Sequence, residues 1–429
     1  MNGIRLFFRG QKGGVLSALT LFVVLGAVLL ALNYALSQYL YIRRAGAMLE
    51  RAGLSDGLHF VNTTPYDEEN QIKLDAFLDE LQAAGEIEKQ IAPISTGVLI
   101  NGVQYRLELY DGDVYPAMYG APYRGSWPDG GEVLGGVLCG VRPTDAPVGE
   151  TVTVVTNRPG GTGRLEVRIT GSLEYPPMHF HLGFHTTDAA DMTADKLFDD
   201  ERTLYLPYSD ALAALVTDTF NDGFAAPVSS GVLLLRDSVS AARRTEIQAA
   251  LEEYAEVTTM EALLESTRAY VGASLRRLLP MPLFLLAVTS LAYISVAVLG
   301  LYRRRADFTI YAMEGCTKRR MLLLAAAQAA LPLLFTDAAV AAVVLTLQKQ
   351  AESGAFALPG VLFGWQNLVW TAAASLLLLA IVVGIAAFTI GRFSPVEELR
   401  RSREYGQFLH RMWCEKAGGK CLDLCMRQP

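Results

Sequence analysis

Four apolar runs constrain this chain before anything else does. They cover residues 15–40, 281–302, 321–347 and 368–390. Each is long enough to cross a hydrocarbon core of about 30 Å, which takes about 20 helical residues. Across all 429 residues the mean hydropathy is +0.26, with 51% hydrophobic residues. That is too apolar for an ordinary soluble protein and too polar for a chain that is all membrane. The polar residues concentrate in region 43–279, which is large enough for a folded domain with its own core. The first run exceeds the 7–15-residue apolar segment of a signal peptide, and three more spans follow it. It is therefore expected to be an uncleaved anchor. The predicted fold is an integral membrane α-helical protein of four transmembrane helices, with a large α+β extracytoplasmic domain between helices 1 and 2.

Charge gives the orientation. Residues 1–14 carry Arg5, Arg9 and Lys12 and no acid, segment 303–320 carries six basic residues and two acids, and the tail from 392 carries eight and five. Region 43–279 has 19 basic and 35 acidic residues, a net charge of −16. Cytoplasmic segments are enriched in Lys and Arg, so both termini and segment 303–320 are expected inside the cell (plasma or inner) membrane and the acidic domain outside. Arg43, Arg44, Arg276 and Arg277 run against this pattern. The expected organisation is a cytoplasmic 1–14, spans at 15–42, 280–302, 321–347 and 368–391, an external domain at 43–279, a short external loop at 348–367 and a cytoplasmic tail at 392–429. Cys139 alone lies outside, so the external domain is expected to hold no internal disulfide.

Within that domain, Leu74, Phe77, Leu78 and Leu81 repeat at helical spacing. GVLINGVQYRLEL alternates around Asn101-Gly102 and predicts a hairpin, because both turn residues must take positive φ. A second hairpin is expected in 151–175 with its turn at Pro159–Gly163, loops and short strands over 112–147, and helix from 238. Met260, Leu263, Leu264, Val271, Leu275 and Leu278 mark one apolar face of a helix at about 258–279. It is either a stalk leading into the second span or a helix packed on its own domain. The third span is rich in alanine and carries Gln328, Pro332 and Asp337. Small residues suit close helix packing. An acid within a span faces a bundle interior and pairs with something, unless it lies within reach of headgroup water.

Segment 303–320, RRRADFTIYAMEGCTKRR, holds Phe308, Ile310, Tyr311 and Met313 between two basic clusters. A mere topology determinant needs less apolar surface. The pattern predicts an amphipathic helix at the membrane surface, ended by Gly315, on which a cytosolic partner can stand. Here the chain resembles the permease subunits of FtsX/MacB-type ABC transporters. Arg304, Arg305, Asp307, Phe308, Ile310, Gly315, Thr317, Lys318 and Arg319 align without a gap on their pattern R-R-x-E-I-x-I-x-x-x-x-G-A-S-R-R. After the last span, Pro395, Val396, Glu397, Leu399 and Arg400 match the family's P-V-E-x-L-R element. The segments PVGETVTVV and RITGSLEYP look like its extracytoplasmic domain. The chain departs from the pattern at Asp307, Ala312, Glu314 and Gln328, where the family prefers Glu, a basic residue, Leu and Glu.

The resemblance implies a coupling helix, including Tyr311, that docks on a separate ABC ATPase subunit. It also implies a second permease chain, identical or not, and an external domain that works by moving. No GxxxxGK[ST] loop is present, so the chain is not expected to be an enzyme by itself. ATP and magnesium would sit on the partner ATPase. The work implied is export or extraction of an amphipathic, membrane-associated substrate, or mechanical signalling to an extracytoplasmic partner protein. No role with nucleic acid is expected.

Two clusters hold residue types that can ligate a metal, but no metal or other cofactor is expected in this chain, and the tail cysteines are expected as free thiols. MHFHLGFH at 178–185 contains His179, His181 and His185. On a strand the first two share a face, and imidazoles so placed bind zinc or copper. The other expectation for this segment is a loop tip that contacts a partner. In the tail, His410, Cys414, Cys421 and Cys425 offer four soft ligands at a spacing that matches no zinc motif. No nucleophile stands beside a base. The rival to a permease is a membrane receptor or sensor whose external domain binds a ligand or metal without an ATPase.

Overall fold

The computed structural model describes residues 15–64, 67–110, 113–128, 133–141, 145–157, 163–173, 177–186, 191–220, 228–303, 305–352 and 361–391. In chain order the elements are helix α1 (Val15–Arg51), β1 (Leu58–Val61), α2 (Glu68–Ala83), β2 (Ile87–Ile91), β3 (Ile94–Ile100), β4 (Val103–Tyr110), α3 (Val114–Tyr119), β5 (Arg124–Gly125), β6 (Gly135–Cys139), β7 (Thr151–Thr156), β8 (Arg164–Ser172) and β9 (His179–Phe180). A short 3-10 turn (Ala194–Leu197) precedes β10 (Phe198–Asp199) and β11 (Thr203–Pro207). Then come α4 (Asp210–Phe220), β12 (Ser230–Leu235), α5 (Ala241–Leu251), β13 (Glu256–Thr259), α6 (Met260–Leu278), α7 (Pro280–Arg303), α8 (Arg305–Met313), α9 (Lys318–Glu352) and α10 (Trp365–Gly391). The chain divides into two compact units: 1–33, 280–345 and 364–429, and 34–279 with 346–363.

The first unit is helical. Among the described residues, four helices are long and apolar enough to cross a membrane: Thr20–Arg51, Pro280–Arg303, Lys318–Gln350 and Trp365–Gly391. The first helix runs nine residues past position 42, where the sequence suggested that the span ends. Gly46 is carried within the helix, which ends only ahead of Gly53, where φ is +71°. There the Leu54 N–H reaches back to the Leu49 carbonyl, the signature of a glycine-ended helix.

Neutral hydrogen bonds stitch these helices together. Asn33 Nδ2 donates to Thr371 Oγ1 at 2.8 Å, and Asn367 Nδ2 donates to the Asn33 carbonyl at 3.0 Å. The Tyr293 hydroxyl donates to the Ala329 carbonyl. Ser375 Oγ donates to Asp337 Oδ1 at 2.6 Å, so the intramembrane acid does pair across helices. Pro332 lacks the N–H that would bond the Gln328 carbonyl. Thr336 Oγ1 covers the proline's own carbonyl at 2.9 Å.

The second unit is α+β and holds two large sheets and the two-stranded antiparallel pair β9–β10. Strands β13-β1-β12-β2 form an antiparallel sheet made of two β-α-β units, β1-α2-β2 and β12-α5-β13. Leu74, Leu78 and Leu81 of α2 bury against Phe60 and Leu233, which realises the helical spacing read from the sequence. Asp67 caps α2 by accepting from the Glu69 and Asn70 N–H groups. Between β2 and β12 is inserted a sheet of order β5-β8-β6-β11-β4-β3-β7, in which β7 also pairs with β8. Six of its strands therefore close into a barrel. The expected hairpin β3–β4 is present, and β7 pairs with β8 as expected, while residues 158–162 of its expected turn lie outside the described residues. Asn101 and Gly102 take φ +51° and +77°, as the tight turn requires. Stretch 112–147, expected as loops and short strands, also contains α3 and the fully buried strand β6.

Strands β4, β6 and β11 are covered on both faces. Leu107, Leu109, Leu138, Leu204 and Leu206 enter one core, together with Val216 and Phe220 of α4. The alternate residues Tyr110, Val137, Cys139 and Tyr205 enter another, with Met48 and Leu49 of α1 and Met260, Leu263 and Leu264 of α6. The first turns of α6 thus pack on their own domain, while Leu278 is exposed.

Candidate functional site

Segment 303–320 folds as α8, with its end fixed by Gly315 at φ +84°. The Cys316 N–H bonds the Tyr311 carbonyl at 2.8 Å, closing the same glycine cap seen after α1. Thr317 then accepts from the Arg320 N–H at the start of α9. The four apolar residues of this segment do not share a fate. Phe308 is 7% exposed and joins Leu301, Met321, Ala325, Ala386 and Ile390; burying it is worth about 2 kcal/mol. Tyr311 packs against the same cluster. Ile310 and Met313 remain 49% and 59% exposed. Of the expected apolar foot, two residues therefore anchor the helix to the ends of α7, α9 and α10, and two are presented outward. Lys318 Nζ donates to the Gly391 carbonyl at 3.0 Å, a cation on the last turn of α10. Arg319 and Arg320 are exposed. Arg305 and Asp307 lie in α8. Arg304 and the motif residues Pro395, Glu397, Leu399 and Arg400 fall outside the described residues, as do His410 and the tail cysteines.

The histidine segment is not a loop tip. His179 is wholly buried on β9, and its two ring nitrogens meet two carboxylates: Nδ1 with Asp199 Oδ1 at 2.8 Å and Nε2 with Glu108 Oε2 at 2.9 Å. Glu108 is itself buried and accepts a further bond from the Tyr115 hydroxyl. Burial pushes that phenol well above its usual pKa, so it stays a donor. Burial opposes charge on His179, but the bonds to Asp199 and Glu108 outweigh it, and the pKa rises to about 9. Glu201 lies within the same cluster and pairs with Arg106 at 2.7 Å.

His179, Asp199 and Glu201 bring their ligand atoms within 4.8 Å of one another. His181 Nδ1 stands 3.9 Å from Asp199 Oδ2, and His185 is exposed. The expected trio of histidines is thus replaced by one histidine among carboxylates. With both ring nitrogens of His179 bonded to carboxylates, the cluster is satisfied as it stands. A second buried histidine, His59, behaves oppositely. Its Nε2 meets only the Leu182 carbonyl at 2.9 Å, and burial lowers its pKa to about 4. Sequence reading missed Glu108 and Asp199. Glu108 sits where a half-buried strand would put it in water, and only the second layer over β4 makes it internal.

No protein-family model and no curated protein matches the chain. Among solved structures it is similar to the extracellular domain of the noncanonic ABC-type transporter YknZ from Gram-positive bacteria. That similarity covers 50% of this chain and 94% of the other, at 11% identity and a TM-score of 0.24. An identity and score this low establish neither family nor activity.

Proposed function

We propose that this chain is the membrane-spanning subunit of an ABC-type transporter, driven by a separate ATPase that docks on α8. The observation that carries the reading is the division of labour on that helix. Phe308 and Tyr311 tie it to the ends of three spans, while Ile310 and Met313 are exposed, as are Arg319 and Arg320. A partner pressing on the outward pair would move the cluster that Phe308 joins, and through it the spans. The basic pattern around α8 and its likeness to the FtsX/MacB-type coupling segment point the same way. In this reading two such chains assemble on two ATPases, and the α+β domain works on the other side of the membrane. There it exports or extracts a membrane-associated substrate, or signals mechanically to an external partner.

The test is affinity isolation from detergent-solubilised membranes, wild type beside Ile310→Asp/Met313→Asp, with ATPase activity read in the eluate. Wild type is expected to bring down an ATPase and the variant to lose it. Absence of ATPase from both would sink the proposal in favour of a receptor that needs none.

A further inference from the structure

The α+β unit contains a cavity of about 520 Å³ that the coupling mechanism does not use. One side is helical and largely apolar: Ile42 of α1, with Val271, Leu275 and Leu278 of α6. The other side is built by the stretch around β9 and β10 and carries His181, Phe184, Asp195, Lys196, Phe198 and Asp199. A space of this size suits one drug-sized molecule, and its two sides ask different things of that molecule.

The polar side is short of positive charge. Burial lowers the pKa of His181, so it adds no cation at neutral pH. Lys196 directs its ammonium over the Phe184 ring at 5.7 Å. Against it stand two carboxylates. Asp199 spends Oδ1 on His179 and on the Glu201 N–H at 2.9 Å, while its Oδ2 is 3.9 Å from the His181 ring, too far for a hydrogen bond. Asp195 also lines this side, and its Oδ1, shielded from solvent, has no hydrogen-bond partner among the described residues. An anion would meet two carboxylates, and a neutral apolar molecule would leave Asp195 unanswered, whereas Asp199 has His179 on one oxygen only. A small hydrated metal ion would leave the apolar side empty.

We propose that this cavity binds a small amphipathic amine, with its ammonium at Asp195 and Asp199 and its apolar body between α1 and α6. The site does not depend on ATPase coupling, and its test needs none. The probe is dansylcadaverine, a primary amine on a five-carbon arm joined to an aromatic sulfonamide. Its control is the N-pentyl dansyl amide, which lacks the amine. Both are titrated by fluorescence anisotropy against the full chain in lipid nanodiscs, with empty discs subtracted. Saturable binding of the amine is expected, with the neutral control at least tenfold weaker. Asp195→Asn should weaken the amine about tenfold and leave the control unchanged, and Ser274→Trp, which fills the cavity, should abolish both. Equal affinity for the two dyes on wild type would overturn the proposal without recourse to any variant. So would undiminished binding in Ser274→Trp, or no saturable binding at all.

Discussion

Asn33, Asn367, Thr371 and Ser375 in the helical unit are as buried as Glu108 and His179 in the α+β unit. The first group meets amides, hydroxyls and carbonyls, and takes one acid, Asp337, at its margin. The second group meets opposite charges. The difference follows from the solvent outside each unit. In hydrocarbon, neutral partners satisfy a polar group without the charging cost that an ion carries. In the α+β unit Asp199 keeps a side chain 34% exposed, so water helps to carry the cluster's charge. Buried polarity is inexpensive in the one unit because it is neutral, and tolerable in the other because it is paired.

The largest effect expected to sharpen this contrast is His179→Ala. It leaves Glu108 and Asp199 without their shared cation and should cost about 3–5 kcal/mol, read as loss of hydrogen-exchange protection on β4 and β9 in the full chain. A cost below 1 kcal/mol would mean that the cluster is not ionised.

Next comes pH. His179 is raised to about 9 from 6.5, so its contribution is complete below about 6.5 and is lost as pH rises through 9. His59 is lowered to about 4, so its neutral form stabilises above 6.5 and that benefit is lost as pH falls toward 4. Asp199, held below its usual range by His179 despite burial, adds to the acid loss. Protection in the α+β unit should therefore peak near pH 6.5 and fall on both sides. The Asn33–Asn367–Thr371 bonds, having nothing to titrate, should keep the start of α10, before Ser375 and its partner Asp337, flat across the same range. A pH-dependent start of α10 would break the comparison.

Asn367→Leu should cost about 1–2 kcal/mol, seen as faster exchange at the start of α10. A loss as large as that of His179→Ala would remove the distinction between the two units. Smallest of all, Lys318→Met removes an exposed cation from the Gly391 carbonyl and should cost at most about 0.5 kcal/mol, measured as a shift in thermal midpoint in detergent.

Much of this architecture was legible from residue pattern. The four long apolar helices, the Asn101-Gly102 hairpin, the helix of Leu74, Leu78 and Leu81 and the glycine end of α8 are local signals, set by period and by turn chemistry. What stayed hidden depends on a second layer. Glu108 alternates with leucines like any solvent-facing strand residue, and Asp199 stands twenty positions from the histidine it holds. Ile310 and Phe308 look equivalent in sequence. Only the ends of α9 and α10 decide that one is an anchor and the other is offered outward. The chain's passage from β2 into a barrel and back to β12 cannot be read from periodicity, because every strand in both sheets has the same period of two.

The pairing of β7 with β8 has a consequence for life at high density in a membrane plane. Neighbouring copies held at one height meet repeatedly, and a sheet with open sides invites a neighbour to add a strand. The six barrel strands have no open side to offer. Among the described strands, the sides left open are the two-residue β5, β9 and β10 and the outer strands β2 and β13, which carry Glu88, Lys89 and Glu256. Crowding should therefore bring these domains into contact without zippering them together.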